Sequence, residues 1–161
     1  MILKLQIGPD NKILRTKSQK VTDFSDPELK KLISNMQETL QSIKEGVGLA
    51  APQVGNNIRL FILSPEISKD HLVFINPTLN KSFKKSLMEE GCLSLPRIYG
   101  NVRRSVSAKI EAFDENGKKF KIKASGLLAH AFQHETDHLD GVLFIDKAKE
   151  AWIIKPPEKT K

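Results

Sequence analysis

The chain has 161 residues, 39% of them hydrophobic and 28% charged, the balance expected of one globular domain with one core. No apolar run approaches the ~18–20 residues of a membrane span, residues 1–8 are too short and too soon interrupted for a secretory signal, and the lone Cys92 excludes a disulfide within the chain. Lys and Arg number 26 against 19 Asp and Glu, a net charge of +7; the lysines are scattered along the sequence, which reads as a solvated surface, and no nucleic-acid motif accompanies them.

Residues 1–26 read as irregular, with Gly8, Pro9, Asp10 and Asn11 as a turn cluster. A helix is predicted over 27–44: Ser25 or Asp26 caps it, Pro27 suits the first helical position, and Leu29, Leu32, Ile33, Met36, Leu40 and Ile43 form one apolar core stripe. Over 46–55, three glycines and a proline break regular structure and leave a loop whose backbone approaches something closely. It lacks the Gly-Lys-Ser/Thr of a phosphate loop. Strands are predicted over 58–63 and 71–75, closed by turns at Ser64-Pro65 and Asn76-Pro77. Residues 87–95 read as extended around Gly91. Residues 102–113 alternate as one strand, with Val102, Val106, Ala108, Ile110 and Ala112 on one side and Arg104 as the exception. Asp114-Glu115-Asn116-Gly117 is a hairpin turn, and Phe120, Ile122 and Ala124 alternate in the return strand.

A second helix starts near Ser125 and ends at Gly141 as its C′ residue. Leu143, Phe144 and Ile145 read as a short closing strand, residues 147–154 have room for at most two helical turns, and residues 156–161 form a loose tail. With no internal repeat and no linker, residues 1–161 read as one domain. The element order predicts an α+β fold: antiparallel strands around the second helix as a central, metal-binding helix, plus the N-terminal helix.

The second helix carries His134-Glu135-Thr136-Asp137-His138. Residues four apart share a helix face, so both imidazoles reach one metal ion and Glu135 lies beside its open position. A catalytic metal usually takes three protein ligands. The metzincin pattern would place the third at Phe144, which cannot bind a metal, and a thermolysin-like completion finds only Glu158 in a Pro-Pro-Glu tail. Cys92 is the remaining candidate; its thiolate with two imidazoles would leave one tetrahedral position for water.

Three blocks now resemble the peptide deformylases: Gly46-Val47-Gly48-Leu49-Ala50-Ala51-Pro52-Gln53, Glu90-Gly91-Cys92-Leu93-Ser94, and Gln133-His134-Glu135-Thr136-Asp137-His138-Leu139. They match the family's GxGLAAxQ, EGCLS and QHExDH patterns in order. The resemblance implies hydrolytic removal of the N-formyl group from the N-terminal methionine of newly synthesised polypeptides. It implies Cys92, His134 and His138 as metal ligands and Glu135 as general base and acid toward a water activated at the metal. It also implies Gln53 and the Leu93 backbone N–H as oxyanion donors. It further implies that Gly48 presents backbone groups to the substrate; Val47, Tyr99, His130 and Ala131 are candidates to line the substrate cleft, each with an ordinary core or surface role as the alternative. Glu90 and Arg104 are candidates for a buried pair, and Asp137 for orienting a ligand imidazole. His71, away from every block, reads as structural. The family expectation for the ion is Fe²⁺, with Zn²⁺, Ni²⁺ or Co²⁺ as alternatives. Expected partners are formyl-Met nascent peptides, with ribosome proximity in question because the segment after the metal helix is shorter than the C-terminal helix of many bacterial members. The expected location is the cytoplasm, or an organelle after processing.

Overall fold

The computed structural model describes residues 1–156. Its first helix, α1 (Pro27–Gln41), starts where Asp26 accepts a 2.9 Å hydrogen bond from the Glu28 N–H. It stops three residues earlier than the apolar stripe predicts, because Ser42 turns back onto Thr39, its hydroxyl donating to that carbonyl. The glycine-rich stretch is more regular than expected: β1 (Gly48–Ala50) runs into a single 3₁₀ turn, Ala51–Val54.

β2 (Leu60–Leu63) follows, then β3 (Val73–Lys81). The expected turn at Asn76-Pro77 is a bulge inside β3, where the register shifts between Ile75 and Thr78. Asn76 adopts a left-handed φ of 50° there, held by its side chain accepting from the Val21 N–H and donating to the Val21 carbonyl. β4 (Lys85–Cys92) and β5 (Leu95–Ser105) form a hairpin. The single strand expected over 102–113 is two: the chain bends at Val106, and β6 (Ser107–Phe113) belongs to the other sheet. The bend explains why Arg104 broke the alternation, since it is buried in a different layer from Ile110. β7 (Lys119–Ser125) returns from the Asp114–Gly117 turn.

The second helix, α2 (Gly126–Leu139), ends before Gly141, whose φ of 72° suits glycine. Arg59 caps it, donating to the Leu139 carbonyl and pairing with Asp140 at 2.8 Å, a cation where the helix dipole favours one. Two expectations beyond the helix are corrected. Phe144–Asp146 is a 3₁₀ turn rather than a strand, stabilised by Asp146 accepting from the Leu143 N–H. Residues 147–154 contribute a strand, β8 (Ala148–Ile153), rather than helical turns, because the free edge of β5 offers a backbone ladder. Of the expected loose tail, residues 157–161 lie outside the described residues.

The fold is α+β. A five-stranded sheet in the order β1-β2-β3-β6-β7 and a three-stranded sheet in the order β4-β5-β8 lie around α2. One face of the five-stranded sheet packs Leu60, Ile62, Val73 and Ile75 with Leu29, Ile33, Met36 and Leu40 of α1. The other packs Phe61, Phe74, Ile110 and Ala112 against Ala131, Phe132 and Leu139 of α2. Full burial of each such large side chain contributes about 1.5–3 kcal/mol. His71 stacks on Phe120 with ring centroids 3.7 Å apart.

Candidate metal centre

Cys92, the last residue of β4, follows a register shift at Gly91. His134 and His138 project from one face of α2. Their ligand atoms and the Cys92 sulfur all lie within 4.8 Å of one another, with Sγ 3.3 Å from His138 Nε2. Residues 46 and 42 positions apart in the chain thus converge where the two layers meet.

The orientation of His134 is set from behind. Its Nδ1 lies 2.8 Å from Glu90 Oε2, and a carboxylate only accepts, so Nδ1 carries a proton and Nε2 is the nitrogen turned toward Cys92 and His138 for a metal. Glu90 is in turn gripped by Arg104, whose Nε and Nη2 donate to its two oxygens at 2.5 and 3.0 Å, and Arg104 Nη1 reaches Asp137 at 2.6 Å. Asp137 also pairs with Lys147 and, among the described residues, makes no hydrogen bond to a ligand ring, so it anchors the arginine rather than orienting an imidazole. His130 Nε2 lies 2.7 Å from Glu90 Oε1 but off the line of a hydrogen bond. Glu90 and Arg104 are both 3% exposed, so the pair is desolvated and removal of either partner strands a charge.

The local fields follow. Burial pushes the Cys92 thiol up, but the imidazoles of His138 and His134 outweigh it and hold the thiol well below its usual range. Burial pushes His134 down, but Cys92 and Glu90 carry it well above the usual imidazole range. Burial raises the Glu135 carboxyl, with His134 and His138 opposing part of the rise. Glu135 Oε2 and His138 Nδ1 are buried without a hydrogen-bond partner among the described residues.

Gln53 sits in the 3₁₀ turn and is 2% exposed. Its Oε1 accepts from the Ala50 N–H at 2.9 Å, which fixes the amide and sends Nε2 toward Ser94 Oγ at 3.2 Å and Cys92 Sγ at 3.5 Å. Gly48 is required by packing: a Cβ there would lie 2.6 Å from Glu135 Oε1.

A cavity of about 540 Å³ runs along this cluster. Gln53, Cys92, Leu93, His134 and Glu135 face it, as do the expected cleft residues Val47, Gly48, Tyr99, His130 and Ala131. His138 is 1% exposed and lies behind it. Ala131 also fills the core against α2's sheet. Arg97, on the cavity wall, holds a left-handed φ of 65°.

Two contributors, Gln133 and Ser94, and a second contact of Glu90 escaped the sequence reading. Gln133 is buried and staples α2 to β5: its amide oxygen accepts from the Ser105 N–H, and its nitrogen donates to the Ser105 and Ala129 carbonyls. Its place directly before the first ligand was the available signal. Ser94 receives the Gln53 amide, and Glu90 holds His134 as well as Arg104; neither contact has a local spacing that announces it.

One thiolate and two imidazoles with mutually reachable atoms fit a divalent ion of borderline softness, and Glu135, one oxygen of which has no hydrogen-bond partner among the described residues, lines the adjoining cavity. The sequence profile described as Polypeptide deformylase matches residues 2–152. Peptide deformylase of Thermodesulfovibrio yellowstonii is 44% identical over 91% of this chain and 88% of its own. The chain spans little more than half the length of plant relatives: it is 42% identical to Peptide deformylase 1B, chloroplastic, of Solanum lycopersicum over 98% of this chain and 57% of that one. The crystal structure of peptide deformylase from Thermotoga maritima superposes with a TM-score of 0.85 at 36% identity, over 93% of this chain and 99% of that one. The chain belongs to the polypeptide deformylase family.

Proposed function

We propose that residues 1–161 form one catalytic domain that removes the N-formyl group from the N-terminal methionine of newly made polypeptides, releasing formate. The observation that carries this reading is the convergence of Cys92, His134 and His138 within 4.8 Å beside Glu135 and Gln53. Cys92, His134 and His138 would hold the ion, which would acidify a water and polarise the formyl carbonyl. Iron is the expected resident and zinc the alternative; both suit a thiolate and two imidazoles.

Glu135 takes a proton from the attacking water and passes it to the departing amine, a task suited to a carboxyl whose burial raises its pKa. The Gln53 amide, oriented by Ala50, and the Leu93 backbone N–H donate to the oxygen that gains charge. Gly48 presents backbone groups to the substrate, while Val47, Tyr99, His130 and Ala131 line the methionine's surroundings.

Substrates are formyl-Met nascent chains, met near the ribosome. No helix among the described residues is long and apolar enough to cross a membrane. The compartment is the cytoplasm, or an organelle as in the plant relatives. The test is formate release from a formyl-Met-Ala peptide by anaerobically purified protein, with elemental analysis of the same sample. Stoichiometric iron or zinc with formate release is expected; cleavage of internal peptide bonds instead would overturn the reading.

A further inference from the structure

Lysines that are scattered in the sequence are gathered by the five-stranded sheet. On the face that carries α1 over β1, β2 and the start of β3, the other half of the sheet is left uncovered by any helix among the described residues. Cross-strand register places Lys123 beside Lys109 and Lys121 beside Glu111 on that bare half, with Lys119 following along β7. Asn80 and Thr78 of β3 extend the same rows. Lys119 and Lys121 are 58% and 54% exposed.

The bare half opens without interruption into a second cavity, of about 420 Å³, which shares Thr78, Glu111 and Lys119 with it and adds Lys17, Lys20 and Arg59. Together these are seven cations against two acids, Glu111, which pairs with Lys119 and Lys121, and Asp140, which pairs with Arg59; the net is +5 out of the whole chain's +7. The hairpin tip beyond, Asp114, Glu115 and Lys118, returns one negative charge. The metal cavity opens on the other side of the sheet, where α2 packs, so a partner on the lysine face leaves the catalytic cleft free.

We propose that the lysine-lined outer face of β3, β6 and β7, with its adjoining cavity, docks the phosphate backbone of duplex RNA. The face is built for a polyanion. Its exposed positions are lysines and short polar residues without a projecting apolar anchor, whereas a protein partner of ordinary affinity needs a desolvated aromatic or aliphatic centre. Lysines two apart on a strand repeat every ~6.6–6.8 Å, so one row meets successive phosphates of a strand. The choice of RNA among polyphosphates rests on the reading of the catalytic site, since an enzyme of nascent chains meets them at an RNA-rich particle.

The test is fluorescence anisotropy of a labelled ~20-base-pair RNA duplex with the metal-loaded protein, beside the same sequence as DNA and phosphatidylserine vesicles. Three to four phosphate contacts predict an affinity loss of about 40- to 150-fold between 50 and 200 mM KCl. Lys109→Glu/Lys121→Glu/Lys123→Glu should weaken RNA binding at least tenfold and flatten the logarithmic salt slope by roughly 2–3, with formate release from a formyl-Met tripeptide unchanged. The glutamine triple should do the same to a lesser degree and guards against misfolding. Lys69→Glu/Lys84→Glu/Lys85→Glu changes the net charge equally elsewhere and should leave binding near wild type. Equal weakening by the two glutamate triples, wild-type binding by the first, or tighter binding to DNA or vesicles than to RNA would overturn the proposal. Loss of formate release with RNA binding intact would instead strike the catalytic reading alone.

Discussion

Against α2, the five-stranded sheet presents Phe61, Phe74, Ile110 and Ala112, while the three-stranded sheet presents Glu90, Cys92 and Arg104. The first region is held by area removed from water and tolerates changes of shape in proportion to the volume lost. The second is held by a chain of charges, Lys147–Asp137–Arg104–Glu90–His134, in which each buried member is paired with its neighbours. One layer supplies stability and the other supplies direction, and the ligands sit where they meet.

The difference is sharpest at Glu135, which belongs to the helix common to both. Glu135→Gln should keep the metal and lose about 10²–10⁴-fold in kcat, with a thermal midpoint close to wild type, measured by formate release, elemental analysis and calorimetry. A variant with appreciable turnover would remove the proposed base. Next comes a matched pair. Phe74→Ala in the aromatic layer should cost about 3–5 kcal/mol in denaturant unfolding, with per-molecule metal content unaltered in the folded fraction. Glu90→Gln should cost a similar amount by leaving the buried Arg104 guanidinium with Asp137 as its one charged partner among the described residues, and in addition weaken metal binding by about 10–100-fold. Equal metal affinity in the two variants would erase the division between layers. Gln53→Ala should lower kcat by about 10²–10³-fold and cost about 1–3 kcal/mol of stability by leaving the buried Ala50 N–H unpaired, read by formate release and denaturant unfolding. The smallest effect concerns backbone: Arg97→Gly should raise stability by about 1 kcal/mol by relieving its left-handed φ, read as a higher thermal midpoint.

The same contrast explains what was readable in the residues alone. The aliphatic stripe of α1 and the alternation of β7 announced the apolar layers, because burial imposes a period that survives in the sequence. HExxH announced its ligands for the same reason, as a helix repeats locally. The polar chain has no period: Glu90 and His134 are 44 residues apart, and only the fold makes them neighbours. The errors cluster where long-range ladders decided. Residues 147–154 became a strand because β5 had a free edge, and residues 102–113 split because the two halves pair with different partners. Asn76-Pro77 read as a terminator, yet Val21, 55 residues away, supplies both hydrogen bonds that carry the strand through.

The carboxylate of Glu90 is shared by the guanidinium of one layer and the imidazole of the other. Sheet and helix therefore form an inseparable unit: transplanting the cysteine hairpin to a foreign scaffold would deliver a sulfur with no aimed ring beside it. Any descendant that drifts in either element must drift in both, and the joint between them is where this architecture will be slowest to change.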